Sequence, residues 1–183
     1  MQTRSIVAVV LSLCVAACGS VASGQAPLKS VDRLDVSRYM GTWYEVAKYP
    51  NWFQRNCARE TKATYSLVSA DHVTVDNSCL DKAGERQEAI GVARPAASAR
   101  SAELQVRFAP DWLSFLPMLW ADYWVVDIDP TYQLVAVSEP GRRYLWILAR
   151  TPQVDAQAYA ALLGRLKLQG FDLGKLERTP QSP

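Results

Sequence analysis

The side chains that could do chemistry are few and scattered. The chain holds one histidine, His72, at the edge of a turn. A lone imidazole with no cysteine or carboxylate cluster beside it makes a poor metal site. It is equally unsuited to a Ser-His-Asp or Cys-His machine. Asp127 and Asp129 fall on one face of an extended stretch and could form an acid pair, although a strand running out into Pro130 explains them more simply. No Gly-rich phosphate loop or dinucleotide fingerprint is present. Glu45 lies among aromatic and small residues and is the best candidate for a buried polar contact to a ligand head group. Six Trp and eight Tyr supply flat side chains that line pockets while keeping a polar handle, or that fill a β-rich core. These residue types point to binding and not to catalysis; no enzyme activity, metal or cofactor is expected.

Composition narrows the partners. The net charge is +2, and removing residues 1–17, which carry Arg4 and no acid, leaves about +1. Nucleic-acid binding requires a clustered basic face, so none is expected. Arg4 precedes an apolar run from Ile6 to Ala17, broken by Ser12 and Cys14. This run is shorter than the roughly 20 residues that span a bilayer and has the build of a signal peptide. It ends Val15-Ala16-Ala17-Cys18, which resembles a bacterial lipobox. That resemblance implies removal of residues 1–17 and acylation of Cys18; an ordinary cleaved signal is the alternative. Gly19, where a retention signal would carry aspartate, implies an outer-membrane lipoprotein, lipid-anchored and facing the periplasm. Several acyl chains anchor stably where one binds only marginally. Residues 18–33 read as a flexible tether.

From Gly41 onward, runs rich in β-branched and aromatic residues alternate with turn signals, the pattern of an all-β sandwich or barrel. The expected strands are Thr42–Tyr49, Glu60–Val68, His72–Cys79, Arg86–Ala93, Glu103–Phe108, Tyr123–Asp129, Leu134–Ser138 and Arg143–Ala149. Short connections favour an antiparallel up-and-down order, and eight strands close into a barrel that holds its own side chains or one small ligand. Both faces of the last strand are apolar, so something must cover the outside. A helix over Val154–Gln169 fits, with Pro152 before it and Gly170 after. Its stripe of Ala158, Leu162, Leu163 and Leu166, joined by Tyr159, would pack on the wall. Phe171–Leu176 would add a short edge strand.

Four stretches, in this order, resemble the lipocalin family: Tyr39-Met40-Gly41-Thr42-Trp43-Tyr44-Glu45, Ala63-Thr64-Tyr65-Ser66-Leu67, Asp122-Tyr123, and Tyr144 through Pro152. They are closest to its bacterial outer-membrane lipoproteins and apolipoprotein D-like members. The match covers about residues 35–178, with a domain over 34–178 and a tail at 179–183. The resemblance implies an eight-stranded antiparallel barrel with a C-terminal helix outside it. It also implies a floor in which Trp43 is covered by Arg150, and a carried ligand such as a fatty acid or lysophospholipid. A structural envelope lipoprotein with a filled barrel is the alternative, and an enzyme acting on lipid-like substrates a more distant one. Strand alternation offers Tyr65, Leu67, Tyr123, Val125, Tyr144 and Trp146 as inward-facing ligand contacts beside Glu45.

Cys57 and Cys79 are the cysteines left to the mature domain. An oxidising compartment favours pairing them, and the hairpin order places both at the open mouth; two free thiols, one available for dimerisation, are the other option. The segment 109–121 also belongs at the mouth. Trp112, Phe115 and Trp120 make it too apolar for an ordinary exposed loop. It could be a lid folded on Trp52 and Phe53, a gate, a membrane contact or a homodimer contact.

Overall fold

A computed structural model describes residues 25–69, 72–98 and 100–182. The expected signal peptide, the expected lipidation site Cys18 and the first residues of the expected tether lie outside the described residues. The elements in chain order are a single helical turn α1 (Val36–Tyr39), strands β1 (Gly41–Lys48), β2 (Arg59–Ser69), β3 (His72–Leu80), β4 (Arg86–Pro95), β5 (Glu103–Arg107), β6 (Ala121–Ile128), β7 (Leu134–Ser138) and β8 (Leu145–Ala149), helix α2 (Ala156–Leu168) and strand β9 (Glu177–Arg178). Each strand from β1 to β8 is antiparallel to the next, and β8 returns to pair with β1, so the sheet closes into the expected eight-stranded barrel.

The chain enters the barrel across its floor. Asp35 caps α1 by accepting from the Arg38 backbone N–H. Gly41 then turns the chain into β1 at a φ of +93°, a conformation open to glycine and strained for side-chain-bearing residues. β2, β4 and β6 end at this floor end, and β1, β3, β5 and β7 end at the opposite, open mouth.

Alternation along the strands produces two apolar cores, one inside and one outside. Trp43, Ala63, Tyr65, Val75, Val125, Val135, Val137 and Leu148 fill the inner one, with Tyr39 below them. Val46, Val126, Ala136, Leu145 and Ile147 form the outer one against Leu162 and Leu166 of α2. β7 is therefore buried along its whole length. Leu162 and Leu166 are fully buried, each worth about 2 kcal/mol of transfer free energy. Leu163 and Tyr159 pack at their edge. Ala158, expected in the stripe, is exposed, while its neighbour Tyr159 packs at the edge of the outer core.

Three expectations need correction. Phe171–Leu176 is not a strand: Phe171 is buried in the outer core, and Asp172 caps a 3-10 turn over Leu173–Lys175, so the chain becomes extended only at β9. Residues 25–33 are not a free tether. Leu28 is buried in the outer core, Ser30 donates to Glu103 at 2.9 Å and Val31 N–H donates to the Val125 carbonyl. This strap starts at the mouth end, where Ala26 O accepts from Arg142, and ends at the floor, where Leu34 N–H meets Ser101. Residues 179–182 are not a loose tail either. β2 pairs with β1 only across Gly41–Tyr44, and the C-terminal residues fill the gap above. Thr179 N–H donates to Val46 O and Glu60 N–H to Pro180 O. The Gln181 amide bridges the carbonyls of Glu45 and Thr61 at 2.9 and 2.8 Å.

Candidate functional site: the barrel interior and its mouth

Trp43 is completely buried and its indole N–H donates to the Tyr39 carbonyl at 2.8 Å. The Arg150 guanidinium lies 3.9 Å from the centre of its ring. Arg150 also donates to the carbonyls of Thr42, Arg38 and Tyr132, so it stitches α1, β1 and the β6–β7 turn together beneath the indole. Burial pulls its pKa below the usual value, but a guanidinium remains charged, and the cation–π contact contributes about 1–2 kcal/mol.

Above this floor three phenols meet. The Tyr123 hydroxyl lies 2.7 Å from that of Tyr39 and 2.8 Å from that of Tyr65. Each comes from a different element: Tyr39 from α1, Tyr65 from β2 opposite Gly41 and Tyr123 from β6. Burial pushes all three up, Tyr65 to about 12, with Tyr65 adding to the effect on Tyr39 and both neighbours adding to it on Tyr123. Val125, Val75, Val135, Val137 and Leu148 form the wall around them. Higher up, Val106 and Trp146 project inward without being fully covered, and Tyr123 likewise keeps some of its surface free.

At the mouth, Gln54 of the first loop reaches down to link two predicted site residues. It accepts from the Trp146 indole at 2.9 Å and donates to Glu45 at 2.7 Å. Glu45 also accepts from Thr179 at 2.5 Å and pairs with Lys48 at 3.2 Å. It is 2% exposed and fully engaged within the protein, so its role differs from the expected head-group contact: it fastens the first loop and the C-terminal seam to β1. A bulge between Glu45 and Ala47 shifts the alternation there. Phe53 stacks edgewise near Tyr144 and Trp146, with ring centres 5.5 and 6.1 Å apart. Tyr144 lies stacked on Trp146. Cys57 and Cys79 form a disulfide, Cα–Cα 5.5 Å, at the mouth end as the hairpin order required.

On the other side of the mouth, the ring of Phe108 covers Gly91. A Cβ on Gly91 would stand 2.6 Å from that ring and from the Arg107 carbonyl, so glycine is what lets the ring lie on the wall. Arg107, 3% exposed, holds the base of the following loop. It donates to the carbonyls of Ala109 and Pro110 and to Asp111 at 2.6 Å. Beyond it Trp112, Phe115 and Met118 are 73%, 72% and 84% exposed; they are not folded down on Trp52 and Phe53 as a lid. Trp120 is partly covered, under the Arg94 guanidinium at 3.7 Å, with its N–H on Ser114 O.

The structure thus brings Tyr65, Tyr123, Val125 and Trp146 together inside the barrel and leaves Tyr144 at its rim. Leu67 has the right parity but lies beyond the end of β1 at the floor, where it is 48% exposed. Tyr39, Gln54 and Arg107 were not singled out from sequence. Tyr39 carried a signal, standing four residues before Trp43; Gln54 and Arg107 carried none beyond polarity in apolar surroundings. Asp127 and Asp129 are no acid pair: a bulge after Val125 turns Asp127 outward to Arg165, while Asp129 accepts three backbone N–H groups in its own turn. Among the described residues no cluster of three or more His, Cys, Asp or Glu side chains is placed to hold a metal.

A family description for a lipocalin-like domain matches residues 34–181. Temperature-induced lipocalin-1 of Arabidopsis thaliana is 40% identical over 157 residues, covering 85% of this chain and 83% of that protein. The outer membrane lipoprotein Blc of Citrobacter freundii is 32% identical over 172 residues, covering 93% and 92%. Among solved structures, lobster apocrustacyanin A1 superposes with a TM-score of 0.65 at 13% identity, covering 81% of each chain; this likeness concerns the fold.

Proposed function

The chain belongs to the lipocalin family, and from that premise we propose that it is a carrier which encloses a small apolar or amphiphilic ligand, such as a fatty acid or lysophospholipid, in the barrel. The observation that carries this reading is the interior above the phenols. Tyr123, Val106 and Trp146 project inward yet keep uncovered surface, beneath a rim of Phe53, Tyr144 and Phe108. An acyl chain entering there gains roughly 25 cal/mol for each Å² of apolar surface removed from water, before the costs of binding. A carrier and not an enzyme is inferred because His72 is exposed at the floor-end hairpin, remote from that interior.

The same reading places the protein at the outer membrane, lipid-anchored through Cys18 and facing the periplasm, where it stores, transports or maintains membrane lipids. Similarity to an outer membrane lipoprotein supports this, as does the lipobox-like sequence. Cys18 stands seven residues before Gln25, a reach of at most about 25 Å. Gln25 and Ala26 lie at the mouth end, bonded to Gly170 and Arg142. An anchor there would hold the mouth, with its exposed Trp112, Phe115 and Met118, against the bilayer, which favours membrane contact over lid or homodimer for this loop.

Native mass spectrometry of protein extracted from membranes tests the carrier. A co-purified lipid of defined mass is expected. A mass equal to the bare acylated chain, together with failure to bind the neutral fluorescent probe N-phenyl-1-naphthylamine, would leave the filled-barrel alternative standing.

A further inference from the structure

The three phenols at the bottom of the lumen present a proton-counting problem. Tyr39, Tyr65 and Tyr123 hold three hydroxyl protons but share only two oxygen–oxygen contacts, both through Tyr123. Each hydroxyl donates once. Whichever way the protons are arranged, at least one points away from the other phenols, and none of the three oxygens has another partner among the described residues. Buried polar groups are ordinarily paired, so a donor gathered from three separate elements into apolar surroundings asks for an acceptor. Raised pKa values keep all three protons in place through the physiological range. The surroundings also select the sign of the group that enters. Arg150, on the far side of the Trp43 ring, donates only to backbone carbonyls and has no carboxylate partner among the described residues. Its charge favours an electron-rich atom above the floor.

Resting on the carrier reading, we propose that Tyr39, Tyr65 and Tyr123 form a donor socket that receives the carbonyl or carboxylate oxygen of the carried molecule, seating it head-down with its chain rising toward the mouth. The rest of the interior agrees. The wall above the socket is apolar from Val125 to Leu148. Glu45, the carboxylate expected to meet a head group, is engaged by Gln54, Thr179 and Lys48 and offers one nothing. Of the three, Tyr123 alone is not fully covered, so its ring forms the upper face of the cluster toward the lumen.

The test uses the full chain loaded with N-phenyl-1-naphthylamine and displaced by three molecules of equal chain length: dodecane, 2-dodecanone and dodecanoate. The socket requires that the ketone and the carboxylate displace the probe at least tenfold more effectively than the alkane, a single hydrogen bond to a buried acceptor being worth about that factor. In the double variant Tyr65→Phe, Tyr123→Phe, which preserves shape and removes two hydroxyls, that preference falls several-fold while dodecane affinity holds. The carbonyl stretch of ¹³C-labelled 2-dodecanone provides a readout in the unmodified protein alone. It shifts to lower frequency on binding if the socket donates to it, even where the variant fails to fold. Displacement by all three molecules with equal potency, or an unshifted carbonyl stretch, overturns the socket and leaves the carrier intact. Displacement by none of them removes the carrier, and the socket with it.

Discussion

Asp127 and Arg165 meet in a two-point ion pair, Nε to Oδ2 at 2.7 Å and Nη2 to Oδ1 at 2.8 Å, that clamps α2 to the outside of β6. The carboxylate is nearly covered while the guanidinium is about half exposed. Removing Arg165 would strand a charge against the wall, moderated by solvent on the other side. Arg165→Ala is expected to lower unfolding stability in urea by about 1–2 kcal/mol, with Arg165→Lys intermediate because an ammonium lacks the planar fork. Equal stability of all three proteins would show that Leu162 and Leu166 hold the helix alone.

The floor gives a second expectation. Arg150 supplies a cation to Trp43 and donors to three carbonyls. Arg150→Ala exposes those groups together and should cost about 2–3 kcal/mol. The fluorescence component removed by Trp43→Phe should shift to the red in the Arg150→Ala protein, reporting water at the floor.

Alkaline pH reads the phenol cluster from another direction. In the unfolded chain tyrosine ionises near pH 10, while in the barrel Tyr65 is raised to about 12 and Tyr39 and Tyr123 are raised well above 10. Between these values the folded state holds more protons than the unfolded one, so stability falls as pH rises. These groups leave it unchanged below about pH 9. From pH 10 upward the slope approaches about 1.4 kcal/mol per pH unit for each phenol. Phenolate absorbance should show late ionisation coincident with unfolding, and Tyr123→Phe should shallow the stability slope by about one proton. A single titration near pH 10 for all tyrosines contradicts the burial.

The disulfide acts on the mouth. Cys57 and Cys79 are 22 residues apart, and closing a loop of that size restricts the unfolded chain by about 3 kcal/mol. Reduction should lower Tm and, while the barrel remains folded, speed amide exchange through Pro50–Ala58 by loosening the Gln54 bridge between Trp146 and Glu45. Unchanged exchange in that loop after reduction would place the bridge, and not the disulfide, in control of it.

The exposed rim predicts a separation of stability from membrane binding. Trp112 and Phe115 are largely solvent-exposed, so the double variant Trp112→Ser, Phe115→Ser should unfold within about 0.5 kcal/mol of the parent. It should nevertheless float less with phospholipid vesicles when both proteins lack the acyl anchor. Identical flotation would remove the membrane role of this loop.

Strands and helix were legible because each repeats a period: two along β2 and β3, near 3.6 from Tyr159 to Leu166. Cys57 and Cys79 were paired as the two cysteines left to the mature domain, and hairpin order gave their place at the mouth. What failed did so where a local pattern meets a non-local limit. Leu67 alternates correctly with Tyr65, but β2 outruns β1 at Gly41 and leaves it exposed. Glu45 reads as a solitary inward acid because its partners Thr179 and Gln54 come from the far end of the chain and from a loop. Leu28, Val31 and Leu34 recur every third residue, a sign that residues 25–33 pack on the wall, yet small polar neighbours make the segment resemble a linker. The phenol socket was half visible. Alternation brings in Tyr65 and Tyr123, but Tyr39 reaches them only because α1 crosses the floor.

The seam formed by residues 179–182 sets the order in which the protein can mature. β1 is the first strand made, and β8 later covers one edge of its upper half, yet the edge toward β2 stays open until Thr179, Pro180 and Gln181 arrive. A chain still being made therefore carries a wall with an open edge, along with a carboxylate at Glu45 still missing its hydroxyl partner. Closure waits for residues 179–181, which makes that segment a poor place to insert anything rigid.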